Sequence, residues 1–275
     1  MTKLELPEID ILRRDLDKDI GGKKIKLVDA PSAATIKRGG TKKTLAARLV
    51  GAKLEKVQRK GDWIVIPIDT GDVLMMRFGE RAYLRRNQAK DAMAKGTAVV
   101  VTFTQGGQLR LIDPTKSSEF FVTTPAEVAD IIGSFGLDLA DEPVSWTKFG
   151  NMLLSRPGTL KSVLMDPTML VGIGPLYSDE ILFEAELRYD REPKSLTTQE
   201  IRRLYRAAVE VIHEAHKHGG TTIGDDGLLT LAGNRGGATI SVHGRDGDMS
   251  PRARGPIVKA KFGSGYTYFC EQTQR

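Results

Sequence analysis

Leu160-Lys161-Ser162-Val163-Leu164-Met165-Asp166, then Leu170-Val171-Gly172-Ile173-Gly174-Pro175, is the stretch on which the reading of the chain turns. Its first run has the apolar spacing of a short helix, stopped by Asp166-Pro167. Its second run is a glycine-bearing turn that opens another helix over about Leu176 to Glu186. Two readings fit this unit. Glycines let a backbone approach a phosphate, and the next helix offers free amides and a positive dipole end. A tight packing turn calls for the same glycines, and a Gly-x-Gly by itself decides nothing.

Outward from this unit the pattern stays helical. Ser145 is placed to cap a helix that buries Trp146, Phe149 and Leu153. Thr197 with Glu200 forms a capping box for a longer helix, which carries Ile201, Leu204, Ala208, Val211 and Ala215 on one face and ends at Gly219-Gly220. His213 and His216 on that helix read as surface histidines, because no further ligand sits at matching spacing. Phe135 to Pro143 reads as a linker. Before it, from Ile25 to Val122, the periodicity is that of strands: Leu54–Arg59, Trp63–Ile68, Val73–Phe78, Thr97–Phe103 and Gln108–Ile112. Arg85 to Lys95 and the glycine-lysine run 39–44 read as polar loops. A helix opens the chain, with Pro7 in its first turn, a stripe of Ile9, Leu12, Leu16 and Ile20, and Gly21-Gly22 at its end. Residues 238–275 return to short extended runs, around Ile240 and from Tyr266 to Phe269, with Arg245, Arg252, Arg254, Lys259 and Lys261 between them.

The 275 residues suffice for two compact domains. Lys and Arg number 41 against 35 acids, a net charge of +6 that suits a polyanion partner without requiring one. A lone cysteine, Cys270, excludes an intramolecular disulfide and a four-cysteine zinc site. No apolar run approaches the length of a membrane helix, and the first residues have no signal-like apolar core. The expectation is a cytoplasmic protein without a membrane partner.

Several marks occur in one order along the chain. They are Glu5-Leu6-Pro7-Glu8 with Arg13-Arg14, Asp113-Pro114, Leu164-Met165-Asp166 with Leu170 to Gly174 and Tyr177, His218 to Thr222, Val242 to Arg245, and Tyr268-Phe269-Cys270. Together they resemble the formamidopyrimidine-DNA glycosylase and endonuclease VIII family. The resemblance implies an α+β fold: an N-terminal helix plus β-sandwich domain (1–134), a helix-two-turn-helix domain (144–236) and a C-terminal β-hairpin finger (237–275). It also implies a base-flipping DNA glycosylase whose N-terminal proline amine forms a Schiff base, with an adjacent glutamate moving protons.

Glu5 matches that glutamate, but Leu4 stands at the proline position. Asp62 matches a phosphate-binding lysine, Glu80 a gap-filling methionine, Lys116 and Ser117 an arginine-phenylalanine wedge, and Pro175 an asparagine. Ser250, Ala253, Cys270 and Thr273 match the four zinc cysteines, and Gly265 the finger arginine, so a zincless finger with no metal and no cofactor is expected. Lys161 and Glu180 are retained.

The resemblance thus implies a monomeric nucleic-acid-binding pseudoenzyme, with DNA as partner and RNA left open. Lys161, Gly172, Gly174, Tyr177, Arg245, Arg252 and Arg254 are its expected nucleic-acid contacts. Two alternatives stand beside it. One is a glycosylase and abasic-site lyase that uses the amine of Thr2 or Lys3 in place of proline, since two residues span at most roughly 7 Å. The other is a protein-interaction module that reuses the fold.

Overall fold

The computed structural model describes residues 3–36, 38, 40–141, 143–221, 230–232 and 234–275. They form two compact units. The first holds Lys3, Leu4, residues 8–133 and the described part of 222–237, and the second holds residues 5–7, the described part of 134–221, and 238–275.

Most of helix α1 (Leu6–Ile20) belongs to the first unit. Its Ile9, Leu12, Leu16 and Ile20 are all buried, as spacing of three to four residues requires for one face. Two four-stranded antiparallel sheets make the rest of the core, a β-sandwich. One has the order β1 (Ile25–Asp29), β6 (Thr97–Phe103), β7 (Gln108–Ile112), β5 (Tyr83–Asn87). The other has the order β2 (Gln58–Lys60), β3 (Trp63–Pro67), β4 (Val73–Arg77), β8 (Glu119–Thr123). Ile64 and Ile66 of β3, Leu74 and Met76 of β4, and Val99 and Val101 of β6 share one apolar core with the α1 stripe. The opposite face of the second sheet is closed by Trp63 against Phe121, edge to face at 5.9 Å.

Two segments of this unit differ from what their polar residues suggest. Tyr83–Asn87 is a strand rather than the start of a loop: it pairs with β7 in the register Leu84↔Leu111 and Arg86↔Leu109. Its arginines hide the pattern, because an edge strand with one open face tolerates charge. The 39–44 run also does more than loop. Thr41 caps helix α2 (Lys42–Leu49), accepting from Thr44 N while Thr41 N donates 2.7 Å to Thr44 Oγ1. A further helix, α3 (Pro125–Ile132), closes this unit.

The second unit contains α4 (Trp146–Leu154), α5 (Leu160–Leu164), α6 (Pro175–Glu184) and α7 (Thr198–Lys217), followed by the hairpin β9 (Val258–Phe262) and β10 (Gly265–Phe269). Ser145 caps α4 and Thr197 with Glu200 caps α7, as their residue types require. The first strand of the hairpin is Val258–Phe262; no strand forms at Ile240, whose neighbours 241–243 instead donate their amides to a side chain described below. No helix among the described residues is long and apolar enough to cross a membrane.

The α7 cap has a pH signature. Hydrogen bonding from Arg191, with the Thr197 donors, brings Glu200 from 4.5 down to about 2. A depressed carboxyl pKa contributes stability above the unfolded value and loses it as pH falls through the folded one. The melting temperature of wild type should therefore exceed that of Glu200→Gln by a constant margin above pH 4.5, and the margin should vanish towards about pH 2. Thermal melts across that range check it.

Candidate functional site

The glycine turn and α6 build the centre of the second unit. Gly174 is the N-cap of α6 and Pro175 fills its first position, where a missing N–H costs nothing. The first turn of a helix leaves amides without partners. Here one side chain takes them: Glu5 accepts from Gly174 N at 2.7 Å, Leu176 N at 2.9 Å and Tyr177 N at 3.0 Å. The dipole end of the helix favours that negative charge. The glycines are what allow this approach. A Cβ on Gly174 would lie 2.6 Å from the Glu5 carboxyl carbon, and Gly172 sits at φ +67° against Leu6, whose N–H donates to Gly172 O at 2.8 Å. Of the two readings of Gly172-Ile173-Gly174, the packing turn describes this geometry, and the anion held there is an internal carboxylate.

Further along α6, Asp179 and Glu180 are buried neighbours with different tasks. Asp179 Oδ1 accepts from Lys161 Nζ and from Thr267 Oγ1, each at 2.5 Å, and Asp179 Oδ2 lies 2.8 Å from His243 Nδ1. The Lys161 ammonium also donates to Pro175 O at 3.1 Å and faces the Phe262 ring. Burial lowers the Lys161 pKa against the pull of Asp179 and Glu5. Glu180 accepts from the amides of Ser241, Val242 and His243 at 2.7–2.9 Å. Burial outweighs those donors and raises its pKa above the usual carboxylate value.

Lys161 is therefore placed differently from the expectation. Its side chain is fully buried and its charge is spent on Asp179, so it organises the interior rather than offering a cation to a phosphate. Tyr177 is likewise buried, and its backbone amide goes to Glu5. Arg245 donates to the carbonyls of Ile240 and Ser241 and pairs with Asp248, while Arg252 pairs with Glu184 and covers the Phe183 ring. Of the three finger arginines, Arg252 and Arg254 are exposed and Arg245 is half-buried. Asp179, His243 and Thr267 were not legible as a group. The one available signal was an acidic pair inside an otherwise apolar helix.

The four positions that match zinc cysteines do come together around Cys270. The thiol is buried with Phe183, Val242 and Ile257, and Ala253 packs on that cluster. Burial pushes the Cys270 pKa up, and hydrogen bonds to Thr273, Ser250 and nearby amides overcome this and lower it. One thiol, two hydroxyls and a methyl do not fit Zn²⁺, which takes four thiolate or imidazole ligands in such a finger. The hairpin is instead held by side chains of α6: Thr267 to Asp179, the 241–243 amides to Glu180, and Arg252 to Glu184.

In the first unit, other positions singled out by the sequence gather in one cavity of about 330 Å³, lined by Lys3, Arg77, Glu80, Ser117 and Glu119 among others. Asp62 accepts from Lys3 Nζ at 2.5 Å and from Arg77 Nε at 2.8 Å. Burial opposes ionisation of Asp62, but the two cations prevail and its pKa is lowered. Glu80, Lys116 and Ser117 are all exposed polar groups, with no apolar wedge among them. Leu4 packs on the apolar core of this unit. Thr2, the other candidate amine, lies outside the described residues.

Comparison with known proteins fixes the family. The formamidopyrimidine-DNA glycosylase N-terminal domain matches residues 4–120, and the H2TH domain of the same enzymes matches 135–226. A formamidopyrimidine-DNA glycosylase of Enterococcus faecalis is 28% identical over 98% of this chain and 97% of its own. One from Pelotomaculum thermopropionicum is 29% identical over 98% and 99%. The structure of Lactococcus lactis Fpg in complex with abasic-site DNA superposes with a TM-score of 0.90 at 24% identity, over 98% of this chain and 99% of that one. By sequence models that span most of its length, the chain belongs to the formamidopyrimidine-DNA glycosylase family.

Proposed function

We propose that this protein binds DNA and does not carry out the proline-dependent glycosylase reaction of its family. The observation that carries the proposal is Leu4: its nitrogen is a chain amide whose lone pair is delocalised, so it cannot attack a sugar carbon. The surrounding changes point the same way. A carboxylate at position 62 takes up the charge of Lys3 and Arg77, where a phosphate-binding cation would be needed. Glu5 spends three acceptor sites on α6. DNA as the partner is supported by family membership, by the net charge of +6, and by the DNA held in the solved structures of similar fold.

The Lys3 amine is the second reading, an abasic-site lyase without proline. An ammonium ion-paired with Asp62 at 2.5 Å lacks the lone pair a nucleophile needs, which counts against it. The test is borohydride trapping on an abasic duplex, with gel-shift binding in the same samples and an active family member as control. A gel shift without covalent adduct is expected. An adduct in wild type overturns the proposal, and its loss in Lys3→Ala would assign the amine. Binding that is absent even at low salt would leave the protein-interaction reading.

A further inference from the structure

We propose that the outward face of the finger hairpin is a stacking platform for unpaired bases, so that the preferred ligand is single-stranded DNA. This rests on the DNA-binding reading and adds the strand state of the ligand.

The two faces of β9–β10 differ sharply. Thr267 and Phe269 face inward, Thr267 tied to buried Asp179. The register Tyr266↔Lys261 and Tyr268↔Lys259 places two tyrosines and two lysines side by side on the other face, Tyr266 exposed and Tyr268 half-buried against the Cys270 cluster. Tyr266 is 48% exposed. Lys259 Nζ lies 4.4 Å and Lys261 Nζ 5.0 Å from the Tyr266 ring centroid, and Lys259 Nζ lies 5.6 Å from that of Tyr268. His243 meets the Tyr268 ring edge-on at 4.9 Å and steadies it.

A row of rings on β10 beside a row of cations on β9 answers the bases and the flanking phosphates of a nucleic-acid strand. A base that stacks on Tyr266 takes the place of an ammonium now lying over the ring and brings its phosphates within reach of Lys259 and Lys261. The strand state follows from geometry. Paired bases keep their π-faces inside the duplex stack, so a duplex offers phosphates to Lys259 and Lys261 and leaves Tyr266 without a task. Unpaired bases engage both. The platform is rigid without metal, because its inner face is pinned to α6.

The experiment uses fluorescence anisotropy of the full chain with labelled oligo-dT of roughly twelve nucleotides, within the usual site size, and with a duplex of equal length. Wild type should bind oligo-dT more tightly than the duplex. Tyr266→Ala should weaken oligo-dT binding roughly 10-fold, the scale of one lost stack, with duplex affinity unchanged. Tyr266→Phe should retain it. Lys259→Ser should reduce the slope of log affinity on log salt by roughly 0.7 on the single strand. The exposure of Tyr266 keeps its truncation from disturbing the fold, and matched melting curves confirm that for each variant. The proposal is overturned if oligo-dT fails to bind while the duplex binds, or if Tyr266→Ala weakens both ligands equally or neither. If neither ligand binds, the DNA-binding reading falls and this proposal with it.

Discussion

Asp179→Ala should destabilise the protein by about 3–5 kcal/mol at neutral pH, the usual cost of removing one partner from a buried ion pair. The variant leaves the Lys161 ammonium fully buried with Pro175 O as its remaining hydrogen-bond acceptor, and releases Thr267 and His243 from the same carboxylate. Urea unfolding followed by far-ultraviolet circular dichroism measures the loss. Two features separate an uncompensated charge from simple loss of packing. Adding Lys161→Met should recover much of the stability, since an apolar replacement of a buried pair is often neutral or better. The single variant should also recover as pH rises. Burial already lowers the pKa of Lys161, and without Asp179 the folded value falls further below the unfolded one. The unfolded state then binds more protons, so stability increases with pH until both states are neutral. A cost that is flat with pH and untouched by Lys161→Met would sink this account.

Glu5→Ala should cost about 3 kcal/mol, from roughly 1 kcal/mol or more for each buried amide left without an acceptor. Gly174, Leu176 and Tyr177 all lose theirs. Glu5→Gln should cost about a third of that, because its amide oxygen keeps part of the set and its NH₂ faces a donor. The graded series matters for function. In the family reading this glutamate handles protons, whereas here its position in the structure is that of a helix cap. If Glu5→Ala unfolds at the same urea concentration as wild type, the carboxylate is not a structural cap and a chemical role for it returns.

What the sequence made legible was local. Ser145, and Thr197 with Glu200, name their helices because a cap acts within one turn. The α1 stripe shows its burial through spacing, and the strands Trp63–Pro67 and Thr97–Phe103 show theirs through nearly unbroken apolar runs. The order of family marks supplied the domain types. The burial of Lys161 is not legible because lysine is so seldom fully buried and its partner Asp179 sits on another helix. His243 and Thr267 are farther still, 64 and 88 residues from Asp179, and no window of sequence brings them together. The edge strand Tyr83–Asn87 was lost for the opposite reason: its arginines gave a local signal that the sheet overrides.

One ten-residue helix, α6, has a residue from the start of the chain at its head and the hairpin along its flank. Glu5 sets the first turn of that helix, and Asp179 and Glu180 lie within the next turn. Glu5 and the hairpin are thus thermodynamically linked through α6. Fraying of the helix head must loosen the hairpin, and a ligand that orders the hairpin must in turn protect the amides of Leu176 and Tyr177 from hydrogen exchange. The finger thus takes its position from side chains of α6, the same helix that Glu5 caps.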